Sequence, residues 1–219
     1  MSGLFITIEG IDGCGKSTQA QRLAELLRST GRTVTAVREP GSSALAERVR
    51  SILLDPEMTG VSPRAELLLY VACRAELVEK TIRPALTGGG TVVGDRFSDS
   101  TVAYQGYGRQ LGPEVARQAN LIATGGLSPD VTFLIDVPLE VARARMSAKS
   151  ADRLEGEQRA FHERVRHGFL EIARGEPERV FVVDGTLPAD EVTDQIIERL
   201  AARVPGLHNG RSRCVGGHG

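Results

Sequence analysis

Leu4-Phe5-Ile6-Thr7-Ile8-Glu9 runs directly into Gly10-Ile11-Asp12-Gly13-Cys14-Gly15-Lys16-Ser17-Thr18. The first six residues are an apolar, β-branched run of strand length. Gly10 to Ser17 match the pattern G-x-x-x-x-G-K-[ST]. Helical spacing of apolar residues (Ala20, Leu23, Leu26, Leu27) begins at Lys16 and stops at Gly31. Strand, glycine-rich turn and helix in that order are what a phosphate loop requires. The glycines let backbone N–H groups point inward at the positive end of a helix dipole. Lys16 reaches toward β- and γ-phosphates, and the Ser17 hydroxyl suits a bound Mg²⁺. Residues 10–18 therefore predict a nucleoside triphosphate site.

Outward from that loop, strand and helix signals alternate. Thr33–Val37, Thr91–Val93, Val131–Ile135 and Val180–Val183 read as strands. Helical spacing occupies Leu45–Leu54, Ala65–Leu86, Pro138–Met146 and Pro188–Val204. Alternation of this kind predicts right-handed crossovers and an α/β fold of about five parallel strands with helices on both faces. The strands are continuously apolar, as burial on both faces demands. A chain of 219 residues suits one such domain, expected over 1–204. Tyr104–Gly112, with three glycines, reads as a flexible connector. The charged stretch 147–157 reads as an exposed mobile loop, and 205–219 as a disordered tail.

Ligands of an open parallel sheet bind beyond the carboxyl ends of its strands. Asp95 and Arg96, at the end of one strand, should therefore face the same crevice as the phosphate loop. Asp95 suits Mg²⁺ or its waters, and Arg96 suits an anion. Arg38-Glu39-Pro40-Gly41 closes another strand in the same way. Arg74 sits four residues after Tyr70 on one helix face, so a ring lies beside a cation. The phosphate loop alone does not separate kinases from GTPases, motors or partition ATPases. No N-K-x-D run follows to read guanine, no second signature lysine stands early in the loop, and the chain is short for a motor.

These motifs together resemble the thymidylate kinase family over roughly Leu4 to Val204. Besides the phosphate loop, the resemblance rests on Arg38-Glu39-Pro40-Gly41, on Tyr70 with Arg74, on Asp95-Arg96-Phe97 followed by Ala103-Tyr104-Gln105-Gly106, and on Asp152-Arg153-Leu154. The fold implied is that of P-loop nucleoside monophosphate kinases, and the reaction is transfer of the γ-phosphoryl group of ATP to dTMP with Mg²⁺. By position, the resemblance implies that Asp12 lies near the acceptor sugar and the metal, and that Tyr70 stacks on thymine. Arg74 and Arg96, with Arg38 and Glu39 nearby, would hold the acceptor phosphate. Arg50 and Gln105 would meet the pyrimidine edge, Tyr104 would crowd out a ribose 2′-hydroxyl, and Thr101 keeps a hydroxyl common at its place. Arg153, with Arg145 and Lys149, belongs to a loop expected to close over ATP. One subgroup carries an arginine in the phosphate loop where this chain has Gly13, so the cation is expected from the closing loop, as in the bacterial lid-arginine type. The catalytic set so implied is Lys16, Arg96, Arg153 and Asp12. A homodimer through apolar helices such as Ala65–Leu86 is also implied. Another nucleoside monophosphate kinase, acting on UMP, CMP or AMP, is the nearest alternative, and a nucleotide-switched ATPase a more distant one.

Composition narrows the partners. Lys and Arg number 27 against 28 Asp and Glu, a net charge of −1, so no broad basic field exists to attract nucleic acid or an anionic membrane. Aromatic residues are 4% with no Trp, too few for base-stacking platforms along a single strand. No leader or bilayer-spanning run is visible. Cys14, Cys73 and Cys214 show neither pairing nor metal-ligand spacing, as expected of free thiols in a reducing cytoplasm. His162 and His167 likewise lack ligand spacing.

Overall fold

The computed structural model describes residues 3–146, 153–201 and 204. The expected tail, and residues 147–152 of the expected loop with Lys149 and Asp152, lie outside the described residues. Strands β1 (Leu4–Glu9), β2 (Val34–Arg38), β3 (Thr91–Asp95), β4 (Val131–Asp136) and β5 (Val180–Asp184) form one parallel sheet in the order β2-β3-β1-β4-β5. Each expected strand is present, the last four extended by a residue or two at the carboxyl end. Those extensions carry Arg38, Asp95, Asp136 and Asp184 to the ligand-binding edge.

Consecutive residues of β1, β3 and β4 are buried, so both sheet faces are covered. On one face Ile6, Ile8 and Val93 pack with Leu23 and Leu27 of α1 (Lys16–Ser29) and with Phe161, Val165 and Phe169 of a later helix. On the other, Phe5 and Val92 join Leu77, Val78, Ile82 and Phe97. Each fully buried Leu, Ile or Phe contributes roughly 1.5–3 kcal/mol relative to exposure.

Next come α2 (Ala44–Leu54) and α3 (Pro63–Leu77). Ser43 and Ser62 cap them, each accepting from the backbone N–H three residues on. The expected helix over Ala65–Leu86 is α3, then a π-helical stretch over Val78–Ile82, then α4 (Arg83–Thr87). After β3 follow α5 (Ser98–Thr101), α6 (Pro113–Thr124), α7 (Leu139–Arg145), α8 (Arg159–Gly175) and α9 (Ala189–Ala201).

The expectation of a flexible connector at Tyr104–Gly112 is corrected. Val102–Gly108 is a buried π-helical segment packed against α8. Its glycines serve close approach rather than mobility. A Cβ on Gly108 would stand 2.7 Å from Phe161 and 2.8 Å from Val165, and one on Gly106 would stand 3.0 Å from Pro113.

Candidate active site

β1 lies at the centre of the sheet between β3 and β4, so the loop leaving it opens at the point where strand order reverses. Gly13 has φ +78°, and a Cβ there would stand 2.3 Å from the carbonyl oxygen of Ala142. An arginine at this position would need both a rare backbone conformation and a displaced α7. Gly15 (φ +97°) turns the chain into α1. The buried Lys16 folds back, Nζ donating to Asp12 Oδ1 at 3.1 Å. Cys14, Gly15 and Thr18 line a cleft with Arg145, Leu187 and Pro188. Ser17 Oγ donates to Asp95 Oδ2 at 2.5 Å, joining the loop to β3. The other oxygen, Asp95 Oδ1, is buried without a hydrogen-bond partner among the described residues.

Asp12 is shared by two halves of the cleft. Its Oδ1 also accepts from Arg96 Nη2 at 2.6 Å, and its Oδ2 from the Tyr104 hydroxyl at 2.7 Å. Burial pushes the Asp12 carboxyl upward. The charges of Arg96 and Lys16 and the hydroxyl of Tyr104 overcome that and hold it well below the usual carboxylate range. Arg96 has φ +73°, in the left-handed region, where a residue with a side chain is strained. Its Nη1 donates to the Gly10 carbonyl at 3.0 Å and to Ser100 Oγ at 2.9 Å, and its guanidinium covers the Tyr104 ring at 4.9 Å. Glu9 holds the turn from behind, accepting from Phe97 N (2.7 Å), Ser100 N (3.3 Å) and Ser100 Oγ (2.6 Å).

A second cleft opens beside Asp12 and Arg96, lined by Glu39, Arg50, Tyr70, Arg74, Thr101, Tyr104 and Gln105, among others. Of the residues expected to hold an acceptor, only Arg38 is missing from this lining; it is half exposed and pairs with Glu47 at 2.9 Å. Arg50 Nη1 donates to the Pro40 carbonyl at 2.8 Å.

Arg74 is deeper than an anion ligand would be. Its Nε and Nη2 bind Glu39 Oε2 at 2.9 and 2.5 Å. Its Nη1 donates to Thr101 Oγ1 at 2.7 Å and Asn120 Oδ1 at 2.5 Å, and Nη2 also to the Phe97 carbonyl at 3.0 Å. All five N–H groups of this guanidinium are thus taken by protein.

Arg153 is held by α2 and α3. Its N and Nε donate to the carbonyls of Leu54 (3.2 Å) and Leu53 (2.9 Å), and its Nη1 lies 2.8 Å from Glu66 Oε2. Beside it, Leu154 is buried and lines the acceptor cleft with Leu54. This end of the expected loop is therefore packed, not exposed.

A family model described as thymidylate kinase matches residues 8–196. The chain belongs to the thymidylate kinase family. It is 47% identical over 213 residues to a thymidylate kinase of Desulfosudis oleivorans, covering 94% of this chain and 99% of that one. It is 45% identical to that of Geobacter sulfurreducens, with 93% and 99% covered. The crystal structure of a thymidylate kinase from Ehrlichia chaffeensis superposes with a TM-score of 0.75 at 36% identity, over 91% of this chain and 99% of that one. The P-loop nucleoside monophosphate kinase fold read from the sequence is thereby shown.

Two carboxylates that brace this thymidylate kinase site were given no role by the sequence reading: Glu9, seen only as the head of the phosphate-loop motif, and Glu66. Each had a signal. Glu9 is a lone acid at the end of an apolar strand. Glu66 shares a helix face with Tyr70 and Arg74 at intervals of four, beside the apolar Leu67 and Val71.

Proposed function

We propose that the two clefts hold ATP and dTMP with their phosphates meeting at Asp12, Lys16 and Arg96. The reaction is that of the family: the γ-phosphoryl group of ATP passes to dTMP, giving dTDP and ADP. The observation that carries this reading is that Asp12 belongs to the phosphate loop and also lines the acceptor cleft.

Phosphoryl transfer asks for two polyanions held in line and for charge neutralised as it spreads over the moving group. On this reading Gly10 to Thr18 cradle the ATP phosphates and Lys16 turns from Asp12 to the β- and γ-oxygens. Arg96, fixed beside Asp12 by four hydrogen bonds from its Nη atoms, lines the acceptor cleft and brings its charge to the acceptor phosphate. Arg74 stiffens the pocket floor through Glu39 and Thr101. Tyr70 offers its ring to the base, Gln105 and Arg50 flank the base edge, and Tyr104 sits against the deoxyribose. The dTMP phosphate is largely ionised near neutral pH, so the chain need supply no strong general base.

Mg²⁺ fits the donors present. A hydroxyl and a carboxylate, one of whose oxygens is buried and unpartnered, are the hard oxygen ligands that this ion takes. Ser17 and Asp95 would hold it, directly or through water. When bound, it neutralises charge on the phosphate oxygens.

The bacterial lid-arginine type, a cytoplasmic location and a homodimer complete the proposal. The helices α3 and α6 pack together and leave Leu68, Leu121 and Ile122 exposed, Ile122 at 86%. No described helix is long and apolar enough to cross a membrane.

The test is chromatography of products after mixing ATP, Mg²⁺ and each of dTMP, UMP, CMP and AMP with the enzyme. dTDP formed far faster than any other diphosphate supports the reading. ATP hydrolysis with no acceptor product would overturn it.

A further inference from the structure

Glu66 is fully buried in the first turn of α3, yet it contributes nothing to the lining of the acceptor cleft. Its carboxylate gathers three donors from two other segments. Oε1 accepts from Gln105 Nε2 at 2.9 Å. Arg109, just beyond the π-helical segment, reaches both oxygens with Nε at 3.1 and 3.2 Å and Oε2 with Nη2 at 3.0 Å. Arg153 Nη1 supplies the third contact, at 2.8 Å from Oε2.

We propose that Glu66 is a positioning residue that sets pyrimidine specificity, by fixing which end of the Gln105 carboxamide faces the base. This rests on the reading of the cleft as the dTMP site. The amide nitrogen of Gln105 is the end that faces Glu66, at 2.9 Å from Oε1. Burial raises the Glu66 pKa, but hydrogen bonds from Arg109, Gln105 and Arg153 and the charge of Arg109 bring it below the ordinary value. An ionised carboxylate accepts hydrogen bonds and cannot donate them. Only the NH₂ end of the amide can therefore face Glu66, and the carbonyl oxygen of Gln105 is turned the other way. Gln105 lines the cleft with Tyr70, the ring on which the base would lie. A carbonyl oxygen at the base edge accepts from the N3–H of thymine or uracil. It opposes the unprotonated N3 of cytosine, lone pair to lone pair. The amide itself could serve either base, and its neighbour decides between them.

The structure also accounts for the firmness of the arrangement. Arg109 Nη1 is tied to Glu157 at 2.5 Å, and its guanidinium lies 4.7 Å from the Phe161 ring centre. Glu66 is therefore held by a cation that is itself anchored to α8. The contact with Arg153 places the adjoining Leu154 in the cleft wall. A rotated Gln105 would have to displace this packing or face an anion with its oxygen.

The experiment compares kcat/KM for dTMP and dCMP in the full-length enzyme and in Glu66→Gln and Glu66→Asp. A glutamine at 66 can donate as well as accept, so Gln105 is released to turn. The dTMP-over-dCMP ratio is then expected to fall at least about tenfold, the loss of one well-made hydrogen-bond discrimination. KM for dTMP should rise while KM for ATP stays within about twofold. Glu66→Asp keeps the charge for the long arginines but withdraws it from Gln105, and should lower the ratio by a smaller factor. It also gives an answer if Glu66→Gln fails to fold. A ratio within twofold of the unaltered enzyme, in whichever of these variants folds, overturns the proposal. Failure of the unaltered enzyme to make dTDP would instead overturn the reading of the site.

Discussion

Arg96 Nη2 and Asp12 Oδ1 lie 2.6 Å apart, one just past the end of β3 and the other inside the phosphate loop. The pair therefore ties the ATP-binding turn to the acceptor side through charge-assisted contacts shared with Tyr104 and Ser100. Arg96 holds this place in a left-handed backbone conformation, which the surrounding hydrogen bonds must enforce.

Arg96→Lys keeps the charge but loses the planar fork that reaches Gly10, Ser100, Asp12 and Tyr104 together. Steady-state kinetics should show kcat/KM for dTMP down about 10²-fold or more, against arginine effects of about 10³–10⁵ in phosphoryl transfer. KM for ATP should change little.

Glu9 titrates near neutrality. Burial, then the nearby Asp99, raise its pKa from 4.5 to about 7, against the lowering by Arg96, Ser100 and the Phe97 N–H. The folded chain thus holds a proton that the unfolded chain releases earlier. The stability contributed by this group is complete below pH 4.5 and is lost as pH rises toward 7. Glu9→Gln, which mimics the protonated form, should flatten the slope of urea-unfolding free energy over this window by on the order of 1–3 kcal/mol.

Ser17→Ala removes a hydroxyl that touches Asp95 and would touch the metal. The Mg²⁺ concentration giving half-maximal activity should rise about tenfold, the equivalent of about 1.4 kcal/mol, with the thermal midpoint nearly unchanged. Titration of activity against Mg²⁺ checks this, and chelation by EDTA should abolish turnover in both proteins.

Gly108→Ala would drive a methyl group into Phe161 and Val165 at under 3 Å. Overpacking of this kind costs about 1–3 kcal/mol. Differential scanning calorimetry should show a lowered midpoint, and dTMP binding should weaken because Gln105 lies on the same segment.

Much of this molecule could be read along the chain because local pattern and tertiary role agree. The five strands, α1, α2 and the phosphate loop follow from β-branched runs, apolar spacing and glycine placement that depend on nearest neighbours. Nine of the ten expected acceptor residues line one cleft, since each sits at a strand end or on one face of α3. The failures have physical causes. Gly106 and Gly108 suggest freedom in isolation and become packing sites only once α8 lies against them. Helix α6 buries small and polar residues (Ala116, Asn120, Ala123, Thr124) and leaves Leu121 and Ile122 exposed, so its large apolar residues do not mark its buried face. The roles expected of Arg38 and Arg153 are a separate matter from these failures: both carry the right charge, and in this structure carboxylates brought near by folding, Glu47 and Glu66, engage them. Charge is visible in a sequence, whereas its partner at a separation of 87 residues is not.

The strand order has a consequence for biosynthesis. β1 is made first, yet its two neighbours are β3 at 91–95 and β4 at 131–136. Until about residue 136 has left the ribosome, this central apolar strand keeps at least one unpaired edge. A nascent chain stalled before that point would carry every residue of the phosphate loop and still lack the seam that shapes it. It would also present a template for pairing with other chains. Early fragments should therefore be clients of chaperones, and ATP capture a late event in the emergence of the polypeptide.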